Sequence, residues 1–135
     1  MIYSLDTTVL IDILRDENAV LRENYARARA ADIALGVSTL AAEELLFGAA
    51  ISRRPEIHLR AARRLISQFI VVGWDLNDAE ASATIRATLR GLGLTIGTVD
   101  ALIAGQALAR GWTLVTSNTR EFARIRGLKV IDWRS

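Results

Sequence analysis

Cysteine is absent from this 135-residue chain, which excludes disulfide stapling and any thiolate-ligated zinc. Histidine, lysine and proline each occur once, as His58, Lys129 and Pro55. One histidine cannot furnish an imidazole cage, and a lysine inside the expected last strand is misplaced for a phosphorylation receiver. No Gly-x-x-x-x-Gly-Lys segment is present, so P-loop nucleotide binding is excluded. Gly91, Gly93 and Gly97 follow a helical pattern rather than a strand, the wrong context for a dinucleotide fingerprint. The segment "LDTT" lacks the second aspartate that a haloacid-dehalogenase phosphatase needs, because position 8 is threonine. The amino terminus has no basic stretch ahead of its apolar residues, and no window approaches about 18 uncharged apolar residues. Export and membrane insertion are therefore not expected, and a cytoplasmic location is.

What remains is a chain rich in core-forming residues. Half of it is hydrophobic (51%) and its mean hydropathy is +0.24, which at this length suits one domain, residues 1–135, and argues against disorder. No repeat, linker or low-complexity segment interrupts it. Net charge is only +2, yet 16 of the 17 basic residues are arginine, a side chain suited to bidentate phosphate contacts. A G+C-rich coding sequence produces the same bias.

Apolar runs bounded by turn signals alternate with segments of helical period throughout. Strands are expected at 1–5, 32–38 ("DIALGVS"), 70–74 ("IVVGW"), 112–118 ("WTLVTSN") and 128–133 ("LKVIDW"). Helices are expected to begin near Thr7 or Thr8, then over 17–31, 39–52, 55–69, 77–93, 98–111 and 120–127. Pro55 stands at a first helical turn, where its missing N–H is harmless, and Asn77 or Asp78 is read as the entry of the fifth long helix. Such alternation predicts a parallel sheet of about five strands sandwiched between helices.

In that architecture strand ends and helix starts share one rim, and acids collect there. Asp6 ends the first strand; Glu43 and Glu44 lie early in the helix after the second; Asp100 lies near the start of "TVDALIAGQALARG"; Glu121 follows "WTLVTSN". The plain alternatives are capping for Asp6, a Thr98 cap with a helix-dipole preference for Asp100, and a solvated partner of Arg120 or Arg124 for Glu121. Glu43 and Glu44 are about 100° apart on a helix, and periodicity does not choose between them. Gathered carboxylates raise one another's pKa and are stable when a cation sits among them; all-oxygen ligands select hard Mg²⁺ or Mn²⁺ over zinc. Setting aside four of the 15 acids leaves 11 against 17 basic groups, so the rest of the surface is cationic and suited to a polyanion.

The segments "SLDTTVLIDIL", "STLAAEELLFGAA", "IGTVDALIAGQALARG" and "LVTSNTREFARIRGLKVIDW" resemble, in order and spacing, the successive motifs of PIN-domain ribonucleases of the VapC toxin type. That resemblance implies a three-layer α/β/α PIN-like domain and a Mg²⁺- or Mn²⁺-dependent endoribonuclease toxin of a type II toxin–antitoxin module. Its substrate would be RNA, tRNA or ribosomal RNA, cleaved by hydrolysis. It further implies a VapB-like antitoxin, a homodimer, and operator DNA reached only through the antitoxin. The family's Glu-Leu-x-x-Gly pattern falls on Glu44, Leu45 and Gly48, which selects Glu44 over Glu43. Asp6, Glu44, Asp100 and Glu121 are then the catalytic and metal-ligating acids, with Thr7, Thr116 and Asn118 in support. Two departures stand out: Thr8 replaces the more common Asn or Ser, and Asn118 occupies a position that is Asp in some PIN domains. The alternative is an inactive PIN-like module acting only through its antitoxin and DNA. His58 is expected as a surface or packing residue, and Trp74, Trp112 and Trp133 as packing rather than a base-stacking platform.

Overall fold

In the computed structural model, which describes residues 2–135, strand β1 (Ile2–Leu5) stops where Asp6 leaves the sheet to cap helix α1 (Thr7–Arg15). Met1, part of the expected first strand, lies outside the described residues. The chain continues through α2 (Ala19–Ala30), β2 (Ala34–Ser38), α3 (Thr39–Ala50), α4 (Pro55–Ile66), β3 (Ile70–Val72) and α5 (Leu76–Gly91). It ends with α6 (Thr98–Arg110), β4 (Thr113–Val115), α7 (Thr119–Phe122) and β5 (Lys129–Ile131). Every pairing is parallel and the strand order is β3-β2-β1-β4-β5, the expected five-stranded sheet of a three-layer α/β/α fold.

This order matters for function. From β1 the chain first extends the sheet to one side through β2 and β3, then returns to add β4 and β5 on the other. The reversal point lies at the carboxyl ends of β1 and β4, the crevice where open α/β sheets bind ligands. Beneath it the core is sealed by Leu5, Val37, Leu114 and Val115 from the strands and Leu10, Ile103 and Phe122 from the helices, all inaccessible or nearly so.

Several boundaries differ from the sequence reading, each for a local reason. The second strand starts at Ala34 rather than Asp32, because Asp32 adopts a left-handed conformation (φ 58°) and the Ile33 N–H closes α2 on the Ala28 carbonyl. Trp112 is likewise spent on closing α6, its N–H bonding Ala107 beyond the left-handed Gly111, so β4 is shorter than "WTLVTSN". Helix α5 is entered at Asp75, not at Asn77 or Asp78. Asp75 and Asp78 form a reciprocal capping box, an Asp-x-x-Asp version of the usual Ser/Thr-x-x-Glu signal. The last helix is a single turn, α7, because Ala123 to Gly127 form turns instead of extending it.

Helix α6 is fixed along its length. Gly105 lies so close to α5 that an added Cβ would come within 2.7 Å of Ser82 backbone and side-chain atoms. The Trp74 indole N–H donates to the Leu102 carbonyl at 3.0 Å, and the Gln106 amide donates to the Gly73 carbonyl at 3.1 Å. At the far end Arg110 pairs with the fully buried Asp78 at 2.9 Å. Burial opposes ionisation of Asp78, but the Arg110 guanidinium and the Asp75 amide prevail and hold its pKa below the ordinary carboxylate value.

Candidate functional site

Asp6 occupies the reversal point and does two things at once. It caps α1, its Oδ1 accepting from the Val9 N–H at 3.2 Å, so the capping alternative is correct as far as it goes. It also holds a carboxylate at the rim although the residue is only 2% exposed. Burial pushes its pKa up, while hydroxyl bonds from Thr116 and Thr8 and the backbone bonds restrain the rise. Thr116, just past the end of β4, donates to Asp6 Oδ2 at 2.5 Å, and Thr8 donates to Oδ1 at 2.6 Å.

Glu44 is the inward member of the Glu43–Glu44 pair. Its Oε1 accepts the Thr7 hydroxyl at 2.5 Å, whereas Glu43 is exposed. Asp100 lies in the first turn of α6, whose N-cap is Gly97. The Thr98 capping alternative is not realised, since α6 has no side-chain cap bond. A Cβ at Gly97 would stand 3.2 Å from Asp100 Oδ2, so the glycine leaves that carboxylate its space. Burial, then the charges of Asp6, Glu121 and Glu44, push the Asp100 pKa from 3.8 to about 6. The four acids singled out in the sequence thus face one another electrostatically across one rim.

Glu121 makes the surface pairing foreseen for it and one further contact. Its Oε1 lies 3.5 Å from the Arg124 guanidinium, the expected surface pairing, while its Oε2 accepts the Asn118 amide at 2.6 Å. Arg124 also donates to the Thr95 carbonyl at 2.8 Å, linking Glu121 to the loop that leads into Asp100. Among the described residues no three acids stand close enough to enclose an ion in this arrangement; Asp6, Glu44 and Glu121 are each engaged by a hydroxyl or amide. The donors nevertheless suit a hard divalent cation: all are oxygen, they converge on one rim, and the repulsion registered at Asp100 is what a cation would relieve.

Residues outside the expected set also hold the rim together. The turn after β4 is tied to α1 by the Ser117 hydroxyl, which donates to Asp12 Oδ2 at 2.9 Å, and to the carboxyl terminus by Arg134, which donates to the Ser117 carbonyl at 2.7 Å. Neither contact has a sequence signal, because the partners lie far apart in the chain. His58 is exposed, with Nδ1 2.7 Å from Ser52 Oγ, and Trp112 and Trp133 are buried, as expected.

Comparison with known proteins agrees with this geometry. The family profile described as PIN domain matches residues 3–128. The "tRNA(fMet)-specific endonuclease VapC" of Shigella flexneri is 34% identical over 131 residues, 97% of each chain. Among solved structures, DNA-bound VapBC from Salmonella typhimurium has a TM-score of 0.90 at 33% identity over 98% of both chains. VapBC2 from Rickettsia felis, bound to a DNA fragment from its promoter, has a TM-score of 0.91 at 28% identity over 98% of this chain and 99% of that one. Sequence similarity over nearly the whole length, on a fold that brings the motif acids to one rim, means that the chain belongs to the PIN-domain family, within its VapC group.

Proposed function

We propose that this chain is a divalent-cation-dependent endoribonuclease toxin whose site is built from Asp6, Glu44, Asp100 and Glu121. The observation that carries the reading is the convergence of these four carboxylates at the sheet's reversal point, registered in the raised pKa of Asp100. They would hold Mg²⁺ or Mn²⁺, which supplies Lewis-acid chemistry for in-line attack of water on an RNA phosphodiester. The protein's own part is orientation. Thr7 fixes Glu44, Thr116 fixes Asp6, and Asn118 holds Glu121. In the metal-free protein Asp100 retains a proton to higher pH than an ordinary carboxylate, and a cation held by these residues would favour its ionised form.

The relatives named as tRNA(fMet)-specific endonucleases favour tRNA over ribosomal RNA as substrate. On the same reading residues 1–135 work as one domain in the cytoplasm, form a homodimer, are silenced by a VapB-like antitoxin, and reach operator DNA only through it. The solved VapBC complexes, two of them on DNA, support the antitoxin pairing. Among the described residues no helix is long and apolar enough to cross a membrane. The inactive-module alternative has no observation in its favour.

The test is cleavage of a tRNA pool by the purified chain. EDTA should stop it, Mg²⁺ or Mn²⁺ should restore it, and Asp6→Asn or Asp100→Asn should abolish it in a folded protein. Cleavage undiminished by excess chelator, with contaminating nuclease excluded, would refute the reading.

A further inference from the structure

Each hydroxyl bonded to Asp6 is itself oriented by a backbone amide. Thr116 Oγ1 accepts the Asn118 N–H at 3.0 Å, and Thr8 Oγ1 accepts the Ser117 N–H at 3.3 Å. A hydroxyl has one proton to donate, and with a lone pair committed to an amide that proton is directed away from it, here onto the carboxylate. Two consecutive amides of one turn therefore aim two threonine hydroxyls, from opposite ends of the chain, at the two oxygens of one aspartate. The turn is itself locked through Asp12 and Arg134.

The two oxygens are not left equivalent. A carboxylate offers about four lone-pair sites, two on each oxygen. Oδ1 accepts twice, from Thr8 at 2.6 Å and from Val9 at 3.2 Å, and is filled. Oδ2 accepts once, from Thr116 at 2.5 Å, and keeps one site free. We infer that Thr8 is a positioning residue that makes Asp6 one-sided, closing Oδ1 so that Oδ2 alone is presented to a cation. The inference rests on the cation-dependent reading of the rim and goes beyond it by assigning Thr8. The hydroxyl also restrains the carboxylate against rotation about its Cβ–Cγ bond, so the free site on Oδ2 keeps one direction. Capping does not account for Thr8, because Asp6 already satisfies the Val9 amide by itself. Nor does core packing, because Thr8 is exposed.

Two substitutions separate the hydroxyl from the shape. Thr8→Val keeps the branched outline and removes the donor; Thr8→Ser keeps the donor and removes a methyl. Mn²⁺ binding to the wild type and both variants is measured by calorimetry on the chelator-stripped protein. The Mg²⁺ concentration for half-maximal tRNA cleavage is measured in parallel, and urea unfolding in EDTA checks the fold. Loss of a residue that orients a metal ligand weakens binding by about 10- to 100-fold. Thr8→Val should weaken Mn²⁺ binding within that range and raise the half-activating Mg²⁺ concentration by a similar factor, while Thr8→Ser stays near wild type. Equal Mn²⁺ affinity in the wild type and Thr8→Val would overturn the assignment of Thr8 and leave the cation-dependent reading standing. Weakening of Thr8→Ser to the level of Thr8→Val would overturn it too, since the hydroxyl would not be the cause. A wild type that binds no Mn²⁺ and cleaves equally well in EDTA would overturn both.

Discussion

Replacing Asp100 with asparagine should stabilise the metal-free protein, and only above a definite pH. In the folded chain the Asp100 pKa is pushed from 3.8 to about 6, so the native state holds this proton more tightly than the unfolded state does. Stability from that proton is complete below about pH 4 and declines as pH rises through about 6, after which the native state bears an ionised carboxylate facing Asp6, Glu121 and Glu44. At about 1.4 kcal/mol per pH unit the gap corresponds to at most about 3 kcal/mol, and because Asp100 is only half-buried, solvent screening lowers the expectation to about 1 to 2 kcal/mol. Asp100→Asn removes the charge while keeping the shape. Urea unfolding in EDTA should therefore show the variant about 1 to 2 kcal/mol more stable at pH 7.5 and equal to wild type near pH 4. Adding Mg²⁺ should raise wild-type stability by mass action and narrow the difference. A stability difference independent of pH between 4 and 8 would refute the electrostatic argument.

Gly97→Ala keeps an accessible backbone conformation (φ −57°, ψ 143°) but places a Cβ 3.2 Å from Asp100 Oδ2, so the carboxylate must shift by a few tenths of an ångström. With a 1 Å misplacement costing about a hundredfold in rate, cleavage should fall by about 3- to 10-fold with an unchanged urea midpoint, and an unaltered rate would refute the crowding. Glu121→Gln should raise the Mg²⁺ concentration for half-maximal cleavage well above that of Glu43→Gln, the exposed control; equal, small effects would reduce Glu121 to a partner of Arg124. Asp78→Asn strips the charge from a fully buried group bonded to Arg110 at 2.9 Å. It should lower stability by about 2 to 3 kcal/mol, limited because Arg110 still reaches water, and a loss below about 0.5 kcal/mol by urea unfolding would refute the pairing's importance.

Strand–helix alternation was legible in the sequence because apolar period and turn residues are local signals, and the rim followed from it, since parallel topology places strand ends together. Asp6 and Asp100 were visible as carboxylates in apolar surroundings. The choice of Glu44 over Glu43 was not visible in periodicity, because what turns Glu44 inward is the Thr7 hydroxyl, 37 residues away. Thr116 is legible as a supporting residue, but not that its hydroxyl serves Asp6, 110 residues away, and the contact of Thr8 with the turn at Ser117 spans a similar distance. The short strands had a different cause: Ile33 and Trp112 look like strand residues but give their amides to helix ends. Asp75 carries only a weak cap signal, because its reciprocal partner is Asp78 rather than glutamate.

The fixing of α6 has a consequence for how the rim can respond to its own charge. A helix free to slide could retreat and let Asp100 escape its neighbours. Gly105 seated against Ser82, with Trp74, Gln106 and Arg110 fastening the helix farther along, blocks that retreat. The helix behaves as a beam bolted to the frame, with the strained load at its tip. Relief must then come from outside the backbone, as a proton or a cation arriving at the carboxylates, so the rigidity of a buried helix contact becomes an appetite for positive charge at the surface.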